Sequence, residues 1–154
     1  MSDNNVSRLF NVWAQNGRSD TMAAGHENAV ELMLSRLGSL EGRRFLDVGC
    51  GNGWVVRRVA EQACDCAVGI DIAPQMIKVA QERRQRETEN YIVGDFCHYS
   101  FRQRFDIIFS MESIYYVNDL ILALNKLNQY FDTNKFLIPA VLLIYVYITL
   151  NASM

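Results

Sequence analysis

The sequence has no surplus of charge of either sign. Its 15 lysine and arginine residues are balanced by 17 acidic residues, and the net charge of the 154 residues is −2. Proteins that bind nucleic acid usually carry a basic excess, so we expect no nucleic-acid partner. The first residues also lack the charged-then-apolar pattern of a secretion signal, and we therefore expect the chain in the cytoplasm.

Cysteine is scarce, and the cysteines lack the spacing of a metal site. Cys64 and Cys66 form a Cys-x-Cys pair, with no second pair and no neighbouring histidine. Zinc sites normally use two such pairs or add histidine. We therefore expect no metal, and we expect Cys50, Cys64, Cys66 and Cys97 to be buried, reduced thiols.

Glycine, by contrast, is concentrated in one loop. The apolar run Phe45–Val48 is followed by glycines at 49, 51 and 53, and then by apolar residues with helical spacing. This pattern predicts a buried strand, a tight turn and a helix. Because glycine has no Cβ, a ligand can lie directly on the main chain of such a turn.

Two common glycine loops do not fit this stretch. A dinucleotide-binding Gly-x-Gly-x-x-Gly motif would need a third glycine at position 54, where the chain has Trp54. A phosphate-binding loop would end in Gly-Lys-Ser or Gly-Lys-Thr, which the stretch also lacks. The sequence therefore indicates a small-molecule ligand of another class.

The order Asp47-x-Gly49-x-Gly51-x-Gly53 resembles the first motif of the class I S-adenosylmethionine (SAM)-dependent methyltransferases, and the resemblance covers about residues 20–131. It implies an α/β, Rossmann-like fold with a parallel sheet of order 3-2-1-4-5 and the cofactor across the carboxyl ends of the strands. It also implies that Asp47 serves the ammonium end of SAM. The glycines of the loop, together with Cys50, would lie against the cofactor.

A second carboxylate stands at the end of the next predicted strand, 67–71. Asp71 follows the glycine loop by about twenty residues, the spacing at which a βαβ unit brings its second strand end beside the first loop. A carboxylate there can accept both hydroxyls of a ribose; the alternative is a cap for the helix that begins at Pro74. By the resemblance, Ile72 and Met76 also contact the cofactor.

Residues 82–90 form a charged stretch, which we interpret as a solvated helix end and loop. Strand three is then predicted at Tyr91–Val93, followed by Asp95 and Phe96. In the family resembled, an acidic residue at this place contacts the adenine amino group, and an apolar neighbour lies against the ring. The alternative is a turn aspartate followed by a core phenylalanine.

The fourth strand is predicted at 105–110, and its end leads into the same crevice. There Met111 is a candidate cofactor contact. Glu112, Tyr115 and His26 are candidates for a general base, which methyl transfer needs only when the acceptor must lose a proton. The alternative is a core position for the tyrosine and a surface position for the histidine.

Residues 1–21 are amphipathic and break at Gly17, ahead of a helix predicted over 21–37. In methyltransferases similar to this chain such a segment often covers the cofactor, which makes Trp13 the leading lid residue; the alternative is ordinary core packing. A later helix, after Asp119, is predicted to bury one apolar stripe. The stripe consists of Leu120, Ile121, Leu124, Leu127 and Phe131.

The resemblance fails after residue 131. The chain has the length of one domain, but it is short for the complete fold, and residues 136–150 are uncharged. Residues 132–154 allow three interpretations. They could form a fifth strand with an edge or bend at Pro139, or a membrane helix, which would be short. They could also be the product of truncation or of a shifted reading frame. We expect a strand, no membrane partner, and an uncovered sheet edge that favours a homodimer.

The predicted function is transfer of a methyl group from SAM to a small-molecule acceptor. Methyl transfer depends on alignment more than on acid or base groups, so we expect no catalytic triad. Two alternatives stay open at this point. One is a protein that binds SAM without turnover, and the other is an NAD-dependent oxidoreductase with an altered glycine loop.

Overall fold

The computed structural model describes residues 3–111, 113–132 and 143–145. Within these ranges the helices are α1 (Asp3–Gln15), α2 (Arg18–Arg36), α3 (Trp54–Ala60), α4 (Pro74–Glu82) and α5 (Leu120–Tyr130), with a 3₁₀ turn at Ile114–Tyr116. The strands are β1 (Arg44–Val48), β2 (Cys66–Asp71), β3 (Glu89–Val93), β4 (Ile107–Met111) and β5 (Leu143–Tyr145).

All of these strands run parallel in one sheet of order β3-β2-β1-β4-β5. The predicted α/β fold with strands ordered 3-2-1-4 is confirmed. In the central strand, Asp47 lies beside Gly69 of β2 on one side and Phe109 of β4 on the other. Sheets of this kind bind ligands at the carboxyl ends of the strands, near the point where the strand order reverses. That point lies between β1 and β4.

Two apolar clusters hold the helices against the two faces of the sheet. Phe45 and Phe109 pack with Val56 of α3 on one face. Leu46 packs with Leu127 of α5 on the other face. Successive residues of a strand point to opposite faces, so β1 is buried on both sides and reads as an apolar run. Full burial of a side chain such as Phe45 or Leu46 contributes about 1.5–3 kcal/mol.

Helix α5 is present as predicted, but its predicted buried stripe is only partly correct: Leu127 is buried and Phe131 partly buried, whereas the other three residues are exposed. Leu120, Ile121 and Leu124 are 51%, 74% and 42% exposed. The buried residues of the helix are Ala123, Leu127 and Tyr130. Apolar residues occupy more than one side of this helix, so a 3.6-residue period fits several faces and the sequence does not select among them.

Strand β3 begins earlier than predicted, and this corrects the interpretation of residues 82–90. Glu89 is fully buried, whereas the sequence places it in a solvated loop. Its carboxylate accepts hydrogen bonds from the backbone N–H groups of Gln85 and Arg86 and from the hydroxyl of Tyr91. Three donors compensate for the loss of water around the buried carboxyl group, and they fix the turn that leads into β3.

The C-terminal tail contributes a strand. Residues Leu143–Tyr145 pair in parallel with Phe109–Met111 at the end of the sheet. Pro139 and the rest of residues 133–142 and 146–154 lie outside the described residues, and both the division of the chain at residue 131 and the homodimer stay predictions. None of the helices in the described part of the chain is long and apolar enough to cross a membrane.

Candidate functional site

An open cavity of about 1310 Å³, measured out to its mouth, lies at the carboxyl ends of β1, β2, β3 and β4. Most of the residues predicted to contact a cofactor line this cavity. They are Gly49, Cys50, Gly51, Asp71, Ile72, Met76, Asp95, Phe96 and Met111.

The three glycines of the loop after β1 all have positive φ, of +78°, +53° and +76° for Gly49, Gly51 and Gly53. A Cβ on Gly49 would collide with Ser113, and one on Gly53 would lie 2.5 Å from the ring of Tyr91. A Cβ on Gly51 would meet nothing within 4 Å. Gly53 does not line the cavity. Glycine is required at this position because the Tyr91 side chain packs against it under the loop.

Asp71 joins the glycine loop to the loop after β2. Its Oδ2 accepts from the N–H of Gly51 at 2.8 Å, and its Oδ1 accepts from the N–H of Ala73 at 2.8 Å. The carboxylate therefore fixes the turn that leads into α4 and also lines the cavity. It does not cap the helix, because the N-cap residue is Ala73 and no side chain caps α4; the ribose contact stays a prediction. Burial raises the pKa of Asp71, and these two hydrogen bonds oppose the rise.

Asp47 lies in β1 behind the loop and does not line the cavity. It is 3% exposed. Its carboxylate makes no hydrogen bond among the residues that the structure describes. Burial, together with the charge of Asp71, raises the pKa of Asp47 to about 8. The role predicted for it at the ammonium end of a ligand stays a prediction.

The turn after β3 places Asp95 and Phe96 at the cavity wall. Asp95 Oδ1 accepts from the N–H of Cys97 at 2.9 Å, and Oδ2 pairs with Nδ1 of His98. Phe96 is 5% exposed and also packs with Phe101 in the core. Each residue thus has a structural contact in addition to its place at the cavity. His98, which the sequence analysis did not select, lines the cavity beside Asp95.

The N-terminal helices form a cover over the cavity, defined as α1 and α2. Phe10 of α1 and Met22 of α2 line the cavity, whereas Trp13 does not. The ring of Trp13 instead packs edge-on against Phe10 at 5.1 Å and lies under the guanidinium of Arg18 at 4.3 Å. Phe10 lies almost one helical turn before Trp13, so the predicted amphipathic segment is present but a different aromatic residue faces the cavity.

Polar contacts hold this cover to the loops of the sheet. In α1, Ser7 donates to the carbonyl of Ile72 at 3.1 Å, and Asn11 Oδ1 accepts from the N–H of Gln75 at 2.9 Å.

In α2, Asp20 accepts from Asn52 Nδ2 at 2.9 Å and from Arg83 NH2 at 2.9 Å. Asn52 belongs to the glycine loop and is 3% exposed. The cover therefore contacts the glycine loop directly, in addition to the loop that follows β2.

Of the three candidates for a general base, only His26 has a side chain whose position at the cavity the structure describes. His26 lines the cavity from α2. Tyr115 lies in the 3₁₀ turn, but its side chain and the whole of Glu112 lie outside the described residues. Tyr116, from the same turn, lines the cavity and packs edge-on against Phe10 at 5.6 Å. The turn and α1 thus meet at one side of the cavity.

Comparison with known proteins identifies the family of the chain. Residues 46–138 match the sequence model of a family described as "Methyltransferase domain". The chain is 35% identical over 100 residues to magnesium-protoporphyrin O-methyltransferase of Rhodobacter capsulatus, covering 62% of this chain and 44% of that protein. It is 31% identical over 112 residues to malonyl-[acyl-carrier protein] O-methyltransferase of Serratia marcescens, covering 72% of this chain and 43% of that protein.

Solved structures agree as well. A Haloferax volcanii methyltransferase, in complex with the Trm112 methyltransferase activator, superposes with a TM-score of 0.76 at 27% identity, over 80% of this chain and 55% of that one. Phosphoethanolamine N-methyltransferase 2 of Haemonchus contortus superposes with a TM-score of 0.63 at 29% identity, over 68% of this chain and 26% of that one.

The chain spans less than half the length of these two curated relatives. The family model nevertheless matches more than half of the chain, and it includes the glycine loop, Asp71 and Asp95. The chain therefore belongs to the methyltransferase domain family, among the class I SAM-dependent methyltransferases.

Proposed function

We propose that this chain binds SAM in the cavity and transfers its methyl group to a small-molecule acceptor. The observation that carries the proposal is the contact of Asp71 with Gly51, which places a carboxylate and a glycine main chain at one wall of the cavity. A carboxylate can accept about four hydrogen bonds. Two positions of Asp71 are used by backbone N–H groups, and two stay available for ribose hydroxyls.

The residues that line the cavity fit the parts of this cofactor. Asp71 would bind the ribose, Asp95 the adenine amino group, and Phe96 the adenine ring. The main chain at Gly51 has open space where a side chain would stand, so it can lie against a ligand. The apolar side chains of Ile72, Met76 and Met111 complete this wall.

When bound, SAM supplies a methyl group that its sulfonium already activates. The protein then needs to align the acceptor and exclude water, and alignment alone can lower the barrier by several kcal/mol. Phe10 and Met22 of the cover supply apolar surface against water. His26 and His98 both line the cavity, and we propose His26 as the side chain that takes a proton, if the acceptor carries one that must leave.

The acceptor is proposed only as a class. Curated relatives are named for different substrates, among them magnesium-protoporphyrin, malonyl-[acyl-carrier protein] and phosphoethanolamine. We propose a small molecule because helices and loops on several sides of the cavity contribute its lining, as in the concave sites that bind small ligands. The alternative of an NAD-dependent oxidoreductase has no support from the family.

The test combines binding with turnover on the intact chain. Calorimetric titration with S-adenosylhomocysteine should show saturable binding at one site. Incubation with methyl-labelled SAM and a low-molecular-weight cell extract should then place the label in a small molecule. Binding without label transfer would favour the alternative, a protein that binds SAM without turnover. Absence of binding would contradict the proposal altogether.

A further inference from the structure

A tyrosine supports the end of the glycine loop from outside the cavity. Ring atoms of Tyr91, in β3, lie 2.5 and 2.9 Å from the place where a Cβ of Gly53 would stand. The hydroxyl of Tyr91 lies 3.3 Å from the carbonyl oxygen of Gly53. Tyr91 does not line the cavity, so it can act on a ligand there only through the loop.

A buried carboxyl group holds this tyrosine in turn. The Tyr91 hydroxyl donates to Oε2 of Glu89 at 2.8 Å, and it shares its single proton between this oxygen and the more distant carbonyl of Gly53. Oε1 of Glu89 accepts from the N–H groups of Gln85 and Arg86. Because Glu89 is fully buried and both of its oxygens are bonded, it offers Tyr91 an acceptor in a fixed position.

An arginine holds the preceding residue of the loop. Nη1 of Arg57, in α3, donates to the carbonyl oxygen of Asn52 at 2.8 Å. The backbone N–H of Arg57 donates to the carbonyl oxygen of Gly53 at 3.0 Å. Arg57 does not line the cavity either. Two successive carbonyl groups of the loop are therefore held by residues of β3 and α3 that lie outside the cavity lining.

The middle of the loop is arranged differently. Gly51 lines the cavity, and a Cβ there would meet nothing within 4 Å. Glycine stands at three of the positions 49–53, and glycine has more conformational freedom to lose than any other residue. Such a loop keeps one conformation only when its neighbours hold it. The contacts at Asn52 and Gly53 hold its end, and the main chain at Gly51 stays open to a ligand.

We propose that Tyr91, oriented by Glu89, is a positioning residue that holds the glycine loop in its binding conformation before SAM arrives. This inference rests on the proposed function. Ordering a loop opposes binding when it happens together with binding, so a loop that is already ordered binds more tightly. Without the hydroxyl of Tyr91, only a fraction of the molecules would hold the loop in that conformation, and the apparent affinity would fall in proportion to that fraction.

The test is calorimetric titration of the full chain and of Tyr91→Phe with S-adenosylhomocysteine. Phenylalanine keeps the ring against Gly53 and removes only the hydroxyl. We expect one site in both proteins and an affinity about three- to tenfold weaker in the variant, the range that corresponds to one lost hydrogen bond. Tyr130→Phe is the matched control, because the hydroxyl of Tyr130 accepts from the N–H of Phe101 at 3.2 Å in the other apolar cluster. It should lower the stability of the fold and leave the affinity unchanged.

Amide hydrogen exchange at Gly53 follows the loop itself. This N–H donates to the carbonyl oxygen of Cys50 at 2.9 Å, and Gly53 does not line the cavity, so its exchange reports the order of the loop and not shielding by a ligand. In the unmodified chain it should be slow with and without S-adenosylhomocysteine. In Tyr91→Phe it should be fast without the ligand and slow with it.

Three results would overturn the inference and leave the proposed function standing. They are an affinity of Tyr91→Phe equal to that of the unmodified chain, an equal loss of affinity in Tyr130→Phe, and fast exchange at Gly53 in the unmodified chain without ligand. Absence of binding by the unmodified chain would overturn the proposed function and the inference with it.

Discussion

The glycines of the loop after β1 differ in what requires them. Gly53 has φ +76°, and a Cβ there would lie 2.5 Å from Tyr91 and 2.8 Å from Ala80. Gly25, in the middle of α2, has open space around its missing Cβ and an ordinary helical backbone. The same substitution at these two positions should therefore have opposite effects on stability.

We predict that Gly53→Ala lowers the free energy of unfolding by more than about 1 kcal/mol, because a positive φ and a clash are both imposed on alanine. Gly25→Ala should raise it by about 0.5–1 kcal/mol, the usual difference between glycine and alanine within a helix. Urea denaturation of both variants measures these changes. Equal effects at the two positions would contradict the role assigned to Gly53.

At the level of single residues, sequence reasoning placed Asp71 because its spacing from the loop follows from the length of a βαβ unit. It could not place His98 at the cavity, because the contact with Asp95 depends on how the turn after β3 closes. It also could not show that Asp47 lies behind the loop. Strand alternation fixes the face on which a residue lies but not its distance from a ligand.

Among the elements, the cover has the most direct connection to the loop. Asp20 of α2 accepts from Asn52 in the loop and from Arg83 at the end of α4. The hydrogen bond to Arg83 lowers the pKa of Asp20, so the carboxylate is ionised at neutral pH. Glu31, also on α2, pairs with Arg58 of α3 away from the cavity. The two acids therefore provide a matched comparison.

We predict that Asp20→Ala weakens binding of S-adenosylhomocysteine by roughly two- to fivefold, since exposed pairs are worth about 0.2–1 kcal/mol each and the substitution frees a side chain of the loop. Amide hydrogen exchange in α1 and α2 should become faster in the same variant. Glu31→Ala should leave the affinity unchanged. Equal losses of affinity in the two variants would mean that the contact with Asn52 does not position the loop.

The buried face of a helix could be predicted from the sequence when the helix has one apolar stripe, and less well when apolar residues lie on several sides. The helical regions of α2 and α4 were recognised from their periodicity together with Gly38 and Pro74. For α5 the helix was recognised but only part of its buried face was, because apolar residues lie on several sides. In α1 the amphipathic pattern was correct, yet Phe10 and not Trp13 faces the cavity.

For the whole molecule, the order of strands was predicted from the family resemblance; the alternation of strands and helices along the chain indicates by itself only a parallel sheet. The residues that line the cavity come from the ends of four strands and from the N-terminal helices. Their meeting in space is a property of the sheet and not of any single motif. For this reason the loop motif alone indicates that a cofactor binds, but it does not indicate which molecule accepts the methyl group.

The central claim is that the glycine loop and Asp71 bind one ligand together. The most direct measurement is calorimetric titration of the full chain and of Asp71→Ala with S-adenosylhomocysteine. Asp65→Ala, at an exposed residue just before β2, serves as the matched control. We predict that Asp71→Ala weakens binding by about 1–3 kcal/mol because ribose hydroxyls lose their acceptor, and that Asp65→Ala changes nothing. Equal affinity in Asp71→Ala and the unmodified chain would contradict the account.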